Sequence, residues 1–549
     1  MMKYTDAFST RQTPQSQPIP GTDQVRNSAG GFAFALDDWA RLDRFLILGS
    51  DSPTYYASAA ELTVANAECV IRCLKADGRR TVDRIVEVSR VGRAPKNDAA
   101  LFALALASSP ECSGLASLYA LESLPLVART GAHLFKYVDY VEHFRGWGRS
   151  LREAVANWYL SKSPAHLAYQ VVKYQQREGW SHRDLLRLSH PDPTEEIYQD
   201  IFAWVVKGAL PDPSSDIPTI VGYESAKRAK TTSQIVKYIR DYKLTREMIP
   251  TEWLTDKEVW AALLEEMPMT AMIRNLANMT RVGLLAPMSA ATSLVAARLD
   301  SEAVLRAKVH PLTILVALNT YKGGAGVARG RAVGYHSRGR VSDSDVKTWE
   351  PVPQIIDALD DAFYQAFGNV ESTGKRWMLA LDVSGSMTCG EIAGMTGVTP
   401  RVGSAAMALI TAKVEPNHMF VGFTSGSGRD ALSVLNISPR QRLDDVVREV
   451  DNLPFGGTDC SLPMIYATET KTPIDTFVVY TDHETWAGRI HPVQALKQYR
   501  REMGIPAKLA VVGMTSTGFS IADPNDGGMV DVVGYDTAAP QLISDFATW

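Results

Sequence analysis

The sequence predicts a multidomain protein in which an all-α, HEAT-like helical-repeat region is followed by an α/β domain with a Rossmann-like sheet. The 549-residue chain is too long for one hydrophobic core. Between about 32 and 370, apolar residues recur at helical spacing, in more helices than one bundle holds. From 371 to 549, β-branched runs alternate with helical segments, which is typical of a mostly parallel sheet covered by helices.

In front of these domains, residues 1–31 are rich in Pro, Gln, Ser and Thr. This composition lacks the apolar core of a signal peptide. Chains with so few apolar residues cannot bury enough surface to order themselves, so the composition predicts a flexible or loosely docked tail.

The overall composition is that of an ordinary globular protein. Hydrophobic residues make up 45% and charged residues 21% of the chain, and the formal net charge of −4 does not by itself indicate nucleic-acid binding. No apolar run approaches the length of a membrane span, so we expect no membrane partner. The five cysteines are odd in number and form no CxxC pair, which predicts a reducing, cytoplasmic location.

Two segments show the helical periodicity most clearly. Apolar residues spaced 0, 3, 4, 7 and 8 mark one face of a helix at Leu151, Ala154, Val155, Trp158 and Tyr159. A second apolar stripe runs from 263 to 279 and contains Pro268, which predicts a break in the helix there.

A group of oxygen-bearing side chains in the α/β region predicts a metal site. Asp382, Ser384 and Ser386 directly follow an apolar run that predicts a buried strand. Thr458 lies on a later glycine turn, and Asp482 ends a β-branched, aromatic run. Ligands bind at the carboxyl edge of such sheets, and Mg²⁺ prefers oxygen donors. The plainer alternative is a turn in which Asp and Ser bond their own backbone.

A basic cluster in the helical region is the first candidate for RNA binding. Lys173 and Arg177 are four residues apart, which predicts one exposed helical face, and Ser181 is a candidate cap for the next helix. Three further basic residues follow at Arg183, Arg187 and His190. The alternative is a solvated helix face, with His190 ending a helix before Pro191.

A second basic segment runs from 321 to 340 and contains six glycines, five Lys or Arg residues and no acid. Such a segment can follow phosphates and fold on binding. It can equally be a linker between domains.

The three oxygen-bearing segments together resemble the metal-ion-dependent adhesion site of von Willebrand factor A modules. In that family the equivalents of Asp382, Ser384, Ser386, Thr458 and Asp482 surround the metal, some of them through water. The resemblance implies a divalent ion, Mg²⁺ above all, whose open position takes a carboxylate from an unknown partner.

Four stretches resemble signatures of the TROVE family of Ro ribonucleoproteins, and the likeness runs from about Leu42 to the C-terminus. They are residues 179–190, 266–271, 457–465 and 506–509. Residues 24–31 resemble bacterial members in particular. The resemblance implies a helical-repeat ring closed by the von Willebrand-like module. The basic Gly/Arg segment from 323 to 340 is longer than in animal members, which leaves its role open.

The same resemblance implies a function in RNA quality control and processing. Small noncoding Y RNAs would bind the outer side of the ring, with contacts on Lys173, Arg177 and His190. Single-stranded 3′ ends of misfolded or degrading RNAs would enter the central hole. Bacterial relatives are also linked through Y RNA to the exonuclease polynucleotide phosphorylase, which makes that enzyme a candidate partner.

Two other classes of function remain as alternatives. One is a metal-dependent protein-binding module of the adhesion or chelatase-subunit kind, without an RNA role. The other is a Mg²⁺-dependent phosphodiesterase, which the sequence disfavours because the metal site has no evident general base or second metal. We therefore expect a protein that is not an enzyme.

Overall fold

The computed structural model describes residues 12–49, 67–110, 112, 114–209, 217–327, 346–366, 370–390, 392, 398–426, 431–453 and 456–549. The chain divides into two compact units. The helical unit comprises residues 70–92 and 97–366, and the α/β unit comprises the chain up to 69, residues 93–96 and the chain from 367 onward.

The N-terminal part of the α/β unit is a hairpin followed by a helix. Strand β1 (Gln24–Arg26) pairs antiparallel with β2 (Phe32–Ala35), and α1 (Asp38–Leu48) follows. Phe34 is 5% exposed and belongs to the core of the α/β unit. Within residues 12–31, Gln15 and Asn27 are buried and Ile19 packs against the same core, unlike the flexible tail that the composition predicts. The structure has no boundary at the expected residue 32, since residues 12–31 and 32–49 belong to the same compact unit.

In its described part, the helical unit is built from helices and two small hairpins. Its helices, with the first two residues of α2 assigned to the other unit, are α2 (Glu68–Val91), α3 (Asp98–Ala107), α4 (Gly114–Glu122), α5 (Leu124–Val127), α6 (Gly131–Phe144), α7 (Arg149–Leu160), α8 (Pro164–Lys173), α9 (His182–Ser189), α10 (Glu196–Lys207), α11 (Pro218–Lys227), α12 (Thr232–Tyr242), α13 (Lys257–Glu265), α14 (Met269–Arg281), α15 (Ala290–Arg298), α16 (Ser301–Arg306), α17 (Pro311–Lys322) and α18 (Pro353–Gln365). Its hairpins are β3 (Gln176–Arg177) with β4 (Trp180–Ser181), and β5 (Ala325–Val327) with β6 (Val346–Thr348).

The predicted helical stripes are the buried faces of these helices. All five apolar residues of the first stripe are buried on α7. The second stripe is interrupted as expected, because α13 ends at Glu265 and Pro268 is the residue before α14. Among the described residues, no helix is both long enough and apolar enough to cross a membrane.

The C-terminal part of the α/β unit contains a six-stranded sheet in the order β13-β11-β10-β7-β8-β9. Its strands and helices, with one short strand that pairs with β2, are β7 (Trp377–Asp382), α19 (Pro400–Val414), β8 (His418–Phe423), β9 (Leu432–Leu435), α20 (Leu443–Asp451), α21 (Leu462–Glu469), β10 (Thr476–Thr481), α22 (Pro492–Met503), β11 (Lys508–Gly513), β12 (Phe519–Ser520), β13 (Met529–Val533) and α23 (Ala539–Thr548). Five strands are parallel, and β9 joins the edge antiparallel to β8.

Helices cover both faces of this sheet. Strands β7 and β10 are buried along their whole length, as expected for central strands of a parallel sheet. Phe477 and Val479 point into a core shared with Met464 of α21 and Leu496 of α22. Tyr480 points to the opposite face, where its hydroxyl lies 3.2 Å from that of Thr411 on α19. The predicted order of a helical region followed by an α/β domain is confirmed.

Candidate metal centre and RNA interface

The oxygen-bearing residues of the α/β unit meet at the carboxyl ends of neighbouring strands. Strands β7 and β10 are adjacent and parallel, with Tyr480 opposite Leu381. Asp382 is the last residue of β7 and Asp482 is the first residue after β10, so both lie at the same edge of the sheet. From β7 the chain crosses to β8 on one side and later returns to β10 on the other. This reversal of strand order opens the crevice in which sheets of this type bind ligands.

Asp382 is completely buried and is held by two hydrogen bonds. Its Oδ1 accepts the Ser384 amide at 2.9 Å, and its Oδ2 accepts the Thr481 hydroxyl at 2.6 Å. The hydroxyls of Ser384 and Ser386 lie 3.2 Å apart beside it. Burial, and next the nearby Asp482 carboxylate, raise the pKa of Asp382 to about 7. Such a carboxylate favours a positive charge beside it.

Asp482 is also completely buried, but only one of its carboxylate oxygens has a partner. Its Oδ1 accepts the Glu484 amide at 2.9 Å. Its Oδ2 has no hydrogen-bond partner among the described residues. Because buried polar atoms in proteins are nearly always satisfied, an unpaired carboxylate oxygen here fits a place for a cation.

The Thr458 turn reaches the same edge through its backbone. Thr458 is 3% exposed, and its carbonyl accepts the amides of Trp486 and Ala487, each at 3.1 Å, from the loop after Asp482. The next residue, Asp459, donates its amide to Thr424 just beyond β8. The structure thus brings all three predicted segments together.

The donor set suits a hard divalent cation. Two carboxylates and the hydroxyls of Ser384 and Ser386 lie at this edge beside the Thr458 turn, whose side chain carries a third hydroxyl. No group of three His, Cys, Asp or Glu side chains that could hold a metal occurs in the described part of the chain. An all-oxygen set dominated by hydroxyls fits Mg²⁺ or Mn²⁺ and does not fit zinc.

The nearest histidine is unsuited to act as a general base. His483 follows Asp482 and is completely buried, and its Nε2 lies 3.1 Å from Nη2 of the buried Arg44. Burial, and next the Arg44 charge, lower the pKa of His483 to about 3. Since the guanidinium can only donate, it occupies the lone pair that would take a proton from water.

In the helical unit, the basic residues lie on a hairpin and a helix. Helix α8 ends at Lys173, and Arg177 lies on strand β3. The expectation that Lys173 and Arg177 share one helical face is therefore wrong. Glu178 and Gly179, at the turn to β4, both have positive φ values, 50° and 76°. This backbone closes a two-residue hairpin instead of continuing the helix.

Lys173 is half-buried, not exposed as expected. Its Nζ lies 2.8 Å from the Tyr169 hydroxyl and 4.0 Å from Glu247, and its side chain is 12% exposed. Burial opposes its charge, but the Tyr169 hydroxyl, Tyr174 and Glu247 raise the pKa of Lys173 above its ordinary value overall. It also lines a cavity of about 670 Å³, together with Tyr169, Lys243 and Arg246.

The other three predicted residues lie on helix α9 and are all exposed. Arg183 and Arg187 are four residues apart on this helix and so point the same way. His190 ends the helix in a left-handed conformation, with a φ of 47°. Ser181 caps the helix as predicted, since its side chain accepts the Asp184 amide in a reciprocal capping box.

A buried histidine fixes this helix to the rest of the unit. His182 is 2% exposed, and its Nδ1 lies 2.8 Å from the Tyr159 hydroxyl. Its ring packs against those of Phe135 and Trp158. Burial lowers the pKa of His182 to about 3, so it is a neutral anchor and not a ligand for phosphate.

An aromatic pair beside the hairpin was not among the predicted site residues. The rings of Trp147 and Trp180 lie 5.7 Å apart, and both side chains are half-buried. Exposed aromatic faces next to basic residues are typical of surfaces that stack RNA bases. The signal was present, because Trp180 stands between Arg177 and Arg183 in the sequence.

Most of the basic Gly/Arg segment, residues 328–345, lies outside the described residues. The flanking strands β5 and β6 pair with each other in the register Val327 to Val346.

Comparison with known proteins agrees with both halves of the architecture. A family model described as the TROVE domain matches residues 25–212 and 237–323. A model described as the Ro60 vWA domain matches residues 376–547.

The relatives match over almost their whole length. The chain is 41% identical to the protein named RNA-binding protein RO60 of Deinococcus radiodurans, over 100% of this chain and 99% of that one. It is 35% identical to the protein of the same name from Caenorhabditis elegans, over 98% and 92%. A crystal structure of the Deinococcus radiodurans RO (RSR) protein matches with a TM-score of 0.69 and 40% identity, over 93% of this chain and 99% of that one. The chain therefore belongs to the TROVE family of Ro60 proteins.

Proposed function

We propose that this protein binds small noncoding Y RNAs on the surface formed by the β3–β4 hairpin and α9, and acts in RNA quality control and processing. The carrying observation is that Arg177, Arg183, Arg187 and His190 are all exposed on two adjacent elements. Elements held this firmly present their charges in a fixed pattern, which favours a structured RNA over a random one. The names of the two relatives support RNA as the ligand.

Two neighbouring features add to this surface. The Trp147–Trp180 pair offers aromatic faces to unpaired bases, and Lys173 adds a charge to the lining of a cavity of about 670 Å³. Stacking of a base on an aromatic side chain contributes about 1–3 kcal/mol. The surface can therefore combine phosphate contacts with contacts to bases that leave the stack.

Single-stranded 3′ ends of misfolded RNAs are the second proposed ligand, at a separate site. Polynucleotide phosphorylase is the proposed partner through Y RNA. Both proposals are supported by the family resemblance. A cytoplasmic location is supported by the cysteine content of the sequence, since five cysteines without a CxxC pair fit a reducing compartment.

The metal centre is proposed to hold Mg²⁺ between Asp382, Ser384, Ser386, Thr458 and Asp482. A bound ion would neutralise the two buried carboxylates and offer an open position to a partner's carboxylate. We propose no catalytic step for it, because the adjacent His483 has its lone pair directed at Arg44. The alternative function, a protein-binding module without an RNA role, rests on this centre. Such a module would need the metal ion to hold its partner, whereas RNA binding would not need it.

The test is an RNA titration with the double variant Arg183→Ala/Arg187→Ala. Each lost phosphate contact should reduce the magnitude of the slope of log K against log salt by about 1 and weaken the binding of all RNA sequences to the same extent. The matched control is Arg306→Ala/Lys308→Ala, which removes the same charge from exposed positions elsewhere in the helical unit. An unchanged affinity and slope in the Arg183/Arg187 variant, or an equal loss in the control, would contradict the proposed surface.

A further inference from the structure

Residues 12–35, here called the N-terminal clasp, lie against the loops that carry two of the proposed metal ligands. Gln15 is completely buried, and Phe34 belongs to the core of the α/β unit. The clasp also adds β2 to the short strand β12, with Ser520 opposite Phe34. It is thus an integral part of the α/β unit.

Gln15 uses all four hydrogen-bonding positions of its side-chain amide. Its Nε2 donates to Asp459 Oδ1 at 2.7 Å and to the Ile490 carbonyl at 2.9 Å. Its Oε1 accepts the Thr485 hydroxyl at 2.6 Å and the Gly488 amide at 3.1 Å. A primary amide has two donor hydrogens and two acceptor lone pairs, which is the set that these four partners need.

These partners belong to two different loops of the metal centre. Asp459 is adjacent to Thr458, and Thr485 lies three residues after Asp482. The two loops also contact each other, since the Thr485 hydroxyl accepts the Cys460 amide at 3.1 Å. Gln15 therefore ties the Thr458 turn and the Asp482 loop to one rigid point.

The hairpin of the clasp holds the Asp482 loop from its other side. Asn27 Nδ2 donates to the Thr485 carbonyl at 2.7 Å, and the Ala29 amide donates to Glu484 Oε2 at 2.9 Å. Glu484 in turn donates its amide to Asp482. The approach is so close that a Cβ on Gly31 would lie 1.9 Å from the Thr485 carbonyl oxygen, which only glycine avoids.

We propose that the N-terminal clasp, through Gln15 and Asn27, positions Thr458 and Asp482 for metal binding. This inference rests on the proposed metal centre. Side chains that orient metal ligands without touching the metal typically change affinity by about 10- to 100-fold when removed. Gln15 and Asn27 are positioning residues of this kind, contributed by a segment more than 400 positions away in sequence from the loops that it holds.

The test measures Mn²⁺ binding to the full chain by electron paramagnetic resonance, because Mn²⁺ takes the same oxygen donors as Mg²⁺. Gln15→Ala and Asn27→Ala should each weaken Mn²⁺ binding by about 10-fold or more. The matched control is Asp475→Asn, which removes the 2.6 Å ion pair with Arg376 at the opposite ends of β7 and β10. It should lower the melting temperature but leave the Mn²⁺ affinity unchanged.

The outcomes separate the two proposals. Wild-type affinity in a folded Gln15→Ala variant would overturn the positioning role and leave the metal centre standing. An equal loss of affinity in Asp475→Asn would also overturn it, because general destabilisation would then suffice. If wild type bound Mn²⁺ no better than Asp382→Ala, both proposals would be wrong. Should Gln15→Ala fail to fold, Asn27→Ala decides, since the side chain of Asn27 makes two hydrogen bonds where that of Gln15 makes four.

Discussion

Replacing Asp382 with Asn should stabilise the metal-free protein at neutral pH, although it removes a proposed metal ligand. The buried carboxylate has a pKa raised from 3.8 to about 7, first by burial and next by Asp482. Keeping it ionised above pH 7 therefore costs on the order of 4 kcal/mol, at about 1.4 kcal/mol per pKa unit. Asparagine has nearly the same shape and carries no charge.

The hydrogen bonds of Asp382 can survive the substitution. The side-chain carbonyl of Asn can accept the Ser384 amide, which now lies 2.9 Å from Asp382 Oδ1. The new amide group can donate to the Thr481 hydroxyl oxygen, which now donates to Asp382 Oδ2 at 2.6 Å. The gain should therefore be close to the cost of the buried charge.

The sign of the pH dependence follows from proton binding. Between its ordinary pKa of 3.8 and about 7, Asp382 holds a proton in the folded state and not in the unfolded chain. The free energy of unfolding of the metal-free protein should thus fall as pH rises through that window and level off above it. Asp382→Asn should remove this decrease.

The assay is calorimetry of the full chain in EDTA at pH 5 and pH 8. For a domain of this size 1 kcal/mol corresponds to about 2–4 °C, so the variant should melt several degrees above wild type at pH 8 and by a clearly smaller margin at pH 5. Added Mg²⁺ should raise the melting temperature of wild type only. The reasoning would be refuted by a variant that melts at or below the wild-type temperature at pH 8.

Asp475→Asn is a control in the same sheet that should change stability in the opposite direction. The Arg376 guanidinium holds the pKa of Asp475 below its ordinary value. Its contribution to stability is present above the ordinary pKa and is lost as pH falls through the lowered one. This variant should therefore melt below wild type at pH 8, with a difference that shrinks in acid.

Three other variants and one RNA ligand should test the proposed RNA-binding sites. Arg177→Ala should weaken RNA binding and change the free energy of unfolding by about 0.5 kcal/mol or less, because the Arg177 side chain is exposed. Lys173→Ala should weaken RNA binding and also lower the melting temperature, because it removes the contact with Tyr169. Trp180→Ala should weaken the binding of RNAs with unpaired bases by about 1–3 kcal/mol per stacked base and leave the binding of blunt duplexes unchanged. Gel shifts with both kinds of RNA measure the difference. A hairpin RNA with a single-stranded 3′ overhang should bind better than its blunt form without being shortened; shortening that depends on Mg²⁺ and on Asp382 would instead favour a nuclease.

Much of the α/β unit could be predicted from sequence because its central strands carry local signals. The runs that end at Asp382 and Thr481 are continuous and apolar, and both are strands. Strand β13 was not predicted, since Asp531 interrupts its apolar pattern. That carboxylate is paired at 2.6 Å with Arg44 of α1, a partner that no local pattern reveals.

The burial of the N-terminal clasp could not be predicted from local sequence either. Its polar composition predicts a flexible tail because such residues rarely bury themselves. They are buried here because Gln15 and Asn27 find hydrogen-bond partners in the loops that follow Thr458 and Asp482. Composition measures how much apolar surface a segment can bury and says nothing of polar partners more than 400 residues away.

On the proposed RNA surface, sequence spacing predicted the wrong structural element for Arg177. Spacing alone placed Lys173 and Arg177 on one helix. Two consecutive residues with positive φ, Glu178 and Gly179, instead form a hairpin that turns Arg177 outward and leaves Lys173 half-buried. A glycine that can end a helix can equally close a hairpin, and Glu178 gives no signal for its left-handed backbone.

The most direct test of the proposed function is to purify the protein from its native cell and sequence the RNA bound to it. The wild-type chain should enrich a small structured noncoding RNA. A variant with Arg177, Arg183 and Arg187 replaced by Ala should lose that RNA while keeping the wild-type melting temperature. If the folded variant recovered the same RNA in the same amount, or if wild type enriched none, RNA binding at this surface would be contradicted.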